Sequence, residues 1–206
     1  MDDKLTITVG RQFGSGGKQV GAMLAERLGV KCYDKELLTA AARESGFDEG
    51  ILEEFDERRD KGFISSLIMS SVHIGATYGG AAPLGTQIYL AQFNAIKRIA
   101  AQESCVIVGR CVDYILRDSP RLVSVFIHSD AASRIRRLTE KLACTPDEAR
   151  AAMERCDRKR AEYYDYYTDK RWGYASTYDL SIDTGKTGIE GAVDLILRYI
   201  ELSTKH

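Results

Sequence analysis

The sequence predicts an α/β fold in three layers, a five-stranded parallel sheet flanked by helices, and three observations carry that prediction. Short apolar runs alternate with longer stretches of helical periodicity, the order that builds a parallel sheet through crossover helices. A glycine-rich segment, Gly10 to Gln19, lies between the first apolar run and the first helical stretch. The chain has 206 residues, 44% hydrophobic and 29% charged, enough to bury one sizeable core.

Strands are expected at 5–9 (Leu-Thr-Ile-Thr-Val), 30–33, 105–108 (Cys-Val-Ile-Val), 122–127 (Leu-Val-Ser-Val-Phe-Ile) and 179–182. The first helix starts near Gly17, because Val20, Leu24 and Leu28 recur at i, i+4 and i+8 and Gly29 supplies a stop. Thr145-Pro146-Asp147-Glu148 reads as a capping box with proline at the first helical position. A last helix carries Ile189, Val193, Ile196, Leu197 and Ile200 and closes the sheet. Between 47 and 90, Gly75, Gly79, Gly80 and Gly85 interrupt helical segments, which suggests a mobile insertion. The chain therefore reads as a single domain, 1–206, with a core of about 1–46 and 91–206.

Lys plus Arg number 29 against 30 for Asp plus Glu, so no long-range field favours nucleic acid or a membrane, and any anion site must be local. Met1-Asp2-Asp3-Lys4 leads directly into an alternating run, without the positive flank or cleavage site of a signal peptide, and no run is long enough to span a bilayer. Cys32, Cys105, Cys111, Cys144 and Cys156 form no C-x-x-C pair, the pattern of a reduced cytoplasmic protein without structural zinc. His73 and His128 show no metal-ligand spacing.

The glycine segment carries the chemistry. Glycines at positive φ let successive backbone N–H groups face inward, and the helix that follows adds partial positive charge at its N-terminus, so phosphate binds there. Gly14, Ser15, Gly16, Gly17, Lys18 and Gln19 form the expected ATP-phosphate cradle, with Lys18 reaching the β- and γ-phosphates. Against G-x-x-x-x-G-K-[ST], Gln12 stands at the first glycine and Gln19 at the magnesium-binding hydroxyl, which leaves Ser15 as a candidate for that role.

With that loop, the chain resembles the cytidylate kinase-like family of P-loop nucleoside monophosphate kinases. The resemblance runs through Ile7-Thr8-Val9-Gly10-Arg11, Phe13-Gly14-Ser15-Gly16-Gly17, Tyr33-Asp34-Lys35-Glu36-Leu37-Leu38 and Val106-Ile107-Val108-Gly109-Arg110. It continues in Arg134-Ile135-Arg136-Arg137, Asp157-Arg158-Lys159-Arg160 and Tyr178-Asp179-Leu180-Ser181-Ile182-Asp183-Thr184. It implies ATP and Mg2+ as cofactors, a CMP- or dCMP-like nucleotide acceptor bound between strands two and three, an acceptor-side helical insertion at about 47–90 and a lid at about 134–172. By the same resemblance Arg110 approaches the acceptor phosphate, and Asp157 and Arg160 contact the acceptor nucleotide; Met153 stands where an arginine is expected.

Chemistry supports those roles, since phosphoryl transfer depends on holding two phosphates in line and neutralising their charge. Arg110 follows a strand at its carboxyl end, where open α/β sheets bind ligands, or else pairs with Asp113 or Asp34. Asp34 and Lys35 close strand two and either orient the acceptor or begin a helix. Asp113 is grouped with these acceptor-side residues. Arg134 and Arg137, like Arg155 and Arg158, fall at i, i+3, so each pair presents two guanidinium groups to a phosphoryl group or to solvent. The aromatic run Tyr163-Tyr164 to Tyr167 with Trp172 is expected to pack. Phe63, Ile64, Leu67, Ile68 and Met69 could form a homodimer surface or core. Two other functions fit the same residues: a P-loop kinase for another small acceptor, and a nucleotide-binding sensor that has lost transfer.

Overall fold

A computed structural model describes residues 4–34 and 84–203. Lys35, the cluster at 63–69, His73 and most of the 47–90 insertion lie outside the described residues. The described chain runs β1 (Thr6–Arg11), α1 (Gly17–Leu28), β2 (Lys31–Tyr33), α2 (Leu84–Gln102), β3 (Cys105–Val108), α3 (Val112–Ile115) and β4 (Leu122–His128). It continues through α4 (Ala131–Leu142), α5 (Pro146–Tyr167), a 3₁₀ turn (Ala175–Thr177), β5 (Leu180–Asp183) and α6 (Thr184–Ser203).

The five strands form one parallel sheet in the order β2-β3-β1-β4-β5. Strand β3, Cys-Val-Ile-Val, is buried along its whole length, as expected of a strand covered on both faces. On one face Val9, Val106, Val125 and Ile127 pack against Val20 and Leu24 of α1 and Val193 and Ile196 of α6. On the other, Ile107 packs with Ile96 and Ile99 of α2 and with Val112 and Ile115 of α3. A smaller cluster, Leu138, Ala149 and Met153, joins α4 to α5 beside Phe13. Met153 is thus a core residue where the resemblance led to an arginine.

Strand β1 extends two residues past its expected end because Gly10 and Arg11 pair in register with Phe126 and Ile127 of β4. Helix α1 begins and ends as expected, with Gly29 in the left-handed region donating to the carbonyls of Ala25 and Glu26. The capping box at α5 forms completely: Thr145 N donates to Glu148 Oε2 at 2.8 Å, and Glu148 N donates to Thr145 Oγ1 at 3.3 Å. The last helix is broken at Gly188, whose backbone is non-helical.

The strand order positions the site. From β1 the chain moves to β2 on one side, whereas from β3 it crosses β1 to reach β4 on the other. The carboxyl ends of β1, β3 and β4 therefore open the crevice in which sheets of this type bind ligands.

Candidate active site

The glycine loop leaves β1 at Gln12, whose N–H donates to Ile127 O at 3.0 Å and whose side-chain oxygen accepts from Ser129 N at 3.2 Å. Gln12 therefore replaces the first glycine of the motif with a residue that ties the loop to the end of β4. Gly14 and Gly16 both have positive φ, 79° and 82°, and a Cβ on Gly16 would collide with Ile189 of α6. Gly16 caps α1 without a side chain, so the first-turn amides of the helix keep no intrahelical acceptor and point at whatever sits in the loop.

Ser15 is fully buried, and its hydroxyl donates to Gln12 O at 2.9 Å. Its hydroxyl closes the loop. Its carbonyl accepts from Thr184 Oγ1 at 2.6 Å. Arg137 in turn donates to Thr184 Oγ1 and to Thr184 O, at 3.1 and 2.8 Å. Lys18 is exposed on the first turn of α1, with its ammonium 2.7 Å from Asp34 Oδ2 at the end of β2. Gln19, also exposed, follows it.

Phe13 is held by both backbone groups. Its N–H donates to Asp157 Oδ1 at 2.7 Å, and its carbonyl accepts from Arg134 Nε at 2.8 Å. Arg134 Nη2 closes the ring by donating to Asp157 Oδ2. Arg160 donates to Arg11 O at 2.8 Å and lies over the Phe13 ring. Arg134 and Arg137, whose spacing offers them to a phosphoryl group or to solvent, hold the loop and the start of α6. Arg134 is only 5% exposed. Asp157 and Arg160 likewise brace β1 and the loop. Met153, Asp157, Arg160 and Tyr164 recur at helical spacing on the inward side of α5; Arg155 and Arg158 do not share that face and are exposed.

Strand β3 ends in three successive left-handed residues, Gly109, Arg110 and Cys111, with φ of 84°, 63° and 53°. Two of them carry side chains, a conformation that costs roughly 1–2 kcal/mol per residue. The Arg110 guanidinium lies 5.6 Å over the Tyr163 ring. It pairs with neither of its expected carboxylates. Asp34 meets Lys18, and Asp113 is buried and accepts from Tyr164 Oη at 2.5 Å. Burial raises the Asp113 pKa and the Tyr164 hydrogen bond opposes that shift. Asp113 thus joins α3 to α5 through Tyr164. The other aromatics pack as expected: Trp172 meets Phe126 edge-on at 5.3 Å and Tyr167 stacks on Tyr89 at 4.1 Å.

The family model of the cytidylate kinase-like family matches residues 6–186, a stretch that contains the loop, the left-handed turn and the Phe13 clamp. The chain belongs to the cytidylate kinase-like family. An uncharacterized protein from Eubacterium ventriosum is 30% identical in its crystal structure, with a TM-score of 0.74 over 96% of this chain and 99% of that one. A shikimate kinase from Bacteroides thetaiotaomicron, 16% identical, has a TM-score of 0.52 over 96% and 98% of the two chains. A gluconokinase from Sinorhizobium meliloti, also 16% identical, has a TM-score of 0.52 over 99% and 98%. The last two share the P-loop kinase fold. No curated protein matches the chain. Among the described residues no helix is long and apolar enough to cross a membrane.

Two residues of this cytidylate kinase-like chain escaped the sequence reading. Arg11, at the end of β1, lies against Gly109. Gln92 is 2% exposed on the inward face of α2, and both atoms of its amide lack a partner among the described residues. Helix α2 enters β3 after two residues and so runs back along the sheet, which brings its first half toward the Arg110 turn; the influence of Cys111 on Tyr89 agrees with that.

Proposed function

We propose that the chain transfers the γ-phosphoryl group of ATP to the phosphate of a nucleoside monophosphate, CMP or dCMP by family membership. The observation that carries this reading is Arg110, held on a strained turn at the carboxyl end of β3 with no carboxylate paired to it among the described residues. A planar guanidinium in that position suits bidentate binding of a phosphate. Gln92 supports a base-bearing acceptor, because a buried amide with an unused donor and acceptor matches the hydrogen-bonding edge of a nucleobase and is costly when left unmatched.

The loop fits the donor phosphates: Gly14 and Gly16 supply positive φ, the amides of 16–19 face outward from α1, and Lys18 exchanges Asp34 for phosphate oxygens. Magnesium, when bound, would supply positive charge against the phosphates. Gln19 offers it an amide oxygen where the motif has a hydroxyl, and Asp34 a carboxylate. The clamp on Phe13 keeps the loop in its binding shape before ATP arrives, so less ordering is required on binding.

The test is acceptor-dependent ADP release with ATP and magnesium against CMP, dCMP, UMP, AMP and GMP. Turnover with a pyrimidine monophosphate is expected, falling by about 10²–10³ in Lys18→Ala, the size of losing one preorganised charge-stabilising donor. Silence across the panel, with ATP still bound, sinks the reading. Gln92→Leu, close in volume, is expected to fold at least as stably as the wild type and to lose discrimination among the bases; unchanged base preference removes Gln92 from the site.

A further inference from the structure

Arg11 has an unusual course. A Cβ on Gly17, the first residue of α1, would overlap Arg11 Cβ and stand 3.0 Å from its Cγ. A Cβ on Gly109 would overlap Arg11 Nη1 and stand 3.0 Å from Cζ. The stem of Arg11 therefore crosses the start of the helix that carries Lys18, and its guanidinium rests on the turn that carries Arg110. At Gly17 a side chain would meet the base of the Arg11 stem, and at Gly109, whose φ of 84° itself favours glycine, it would meet the guanidinium end.

Among the described residues the guanidinium has no structural pairing there. Asp157 is engaged by Phe13, Arg134 and Arg160, and Asp34 by Lys18. Among the described residues no carboxylate or carbonyl receives a hydrogen bond from the half-buried Arg11 guanidinium. Its environment adds positive charge. Burial, then Arg160 of α5 and Arg110 at the end of β3, push its pKa down to about 9, against smaller opposing pulls from Cys156 of α5 and Asp34 at the end of β2. Below that pH it remains a cation, with five donors in a fork and no acceptor. A partly desolvated cation beside two others is costly unless an anion joins it.

We infer that Arg11 binds the acceptor, forming with Arg110 a two-guanidinium clamp for a phosphate monoester dianion. The loop amides and Lys18 already serve the donor phosphates, and Arg11 reaches past them to Gly109. The clamp therefore selects acceptors that carry a phosphate over neutral hydroxyl compounds. This deepens the reading given under Proposed function and rests on it for the place of the donor phosphates and for which phosphate ester arrives.

Calorimetry on the full chain tests it, with the glycine loop saturated by a non-hydrolysable ATP analogue. The titrants are CMP, cytidine and inorganic phosphate, against wild type, Arg11→Gln and Arg11→Lys, each checked for an unchanged thermal transition. Wild type is expected to bind CMP and phosphate. Arg11→Gln should lose about 10- to 100-fold in affinity for both, the range for removing a charged hydrogen-bonding partner. Arg11→Lys, which keeps charge without the fork, should fall between the two and keeps the test open if Arg11→Gln misfolds. Affinity for the ATP analogue should change less than about 3-fold, the result that separates an acceptor role from a donor role. If wild type binds phosphate but not CMP, and Arg11→Gln loses phosphate, the clamp stands and the nucleotide acceptor falls. Equal CMP or phosphate binding in wild type and Arg11→Gln, no phosphate or CMP binding in wild type, or a loss confined to the ATP analogue overturns the inference.

Discussion

Asp157→Ala is expected to destabilise the protein by about 3–5 kcal/mol, the cost of leaving a buried guanidinium uncompensated, and to lower the thermal midpoint by roughly 10 °C. Asp157 accepts from Phe13 N and from Arg134, and Arg134 is nearly inaccessible to solvent. Removing the carboxylate strands that charge and frees an amide of the phosphate loop at once. Replacing both partners, as Asp157→Leu with Arg134→Met, should recover part of the loss, because two apolar groups leave no orphaned charge. Urea unfolding of the three proteins measures this. A cost below about 1 kcal/mol for Asp157→Ala would show that the pair is effectively solvated.

Arg110→Gly is expected to separate stability from activity. The left-handed backbone at 110 is strained for arginine and free for glycine. The gain is offset by the greater freedom of glycine in the unfolded chain and by loss of the contact with Tyr163, so stability should stay within about 1 kcal/mol of wild type. Acceptor-dependent turnover should fall about 10³-fold, on the scale of losing an arginine that acts on a transferring phosphoryl group. Arg110→Lys should recover little of it, because a point charge cannot replace a bidentate fork. Chemical denaturation and kcat/KM on the same preparations separate the effects; a loss of stability above about 2 kcal/mol with turnover intact would make Arg110 a structural residue.

The strands were legible because each is a short apolar run bounded by turn residues, and α1, α5 and α6 because their caps and apolar spacing are local. The phosphate loop was legible for the same reason: its ten residues are contiguous and lie between a strand and a helix. The brace around it was not. Arg134, Asp157 and Phe13 meet across three elements, and the pattern that suggested lid arginines, i, i+3 on a helix, does not say which side faces the loop. The inward side of α5 follows from Met153, Ala149 and Tyr164, which pack; once that side is known, Asp157 and Arg160 point inward and Arg155 and Arg158 outward. Arg11 was hidden because it lies past the expected end of β1, within the glycine segment, and its contacts are with Gly17 and with Gly109, the latter 98 residues away in sequence. That glycine read as part of a G-R motif, and its contact with the guanidinium exists only in the folded chain.

Phosphoryl transfer to a phosphate ester is tested most directly by ³¹P NMR of the protein with ATP, magnesium and an equal mixture of the five nucleoside monophosphates. The expected spectrum shows the monoester signal falling one for one with the β-phosphate of ATP, diphosphate doublets rising, and no orthophosphate. Orthophosphate accumulating beside an unchanged monoester signal, or ATP left intact by a protein that binds it, would contradict a kinase acting on such acceptors.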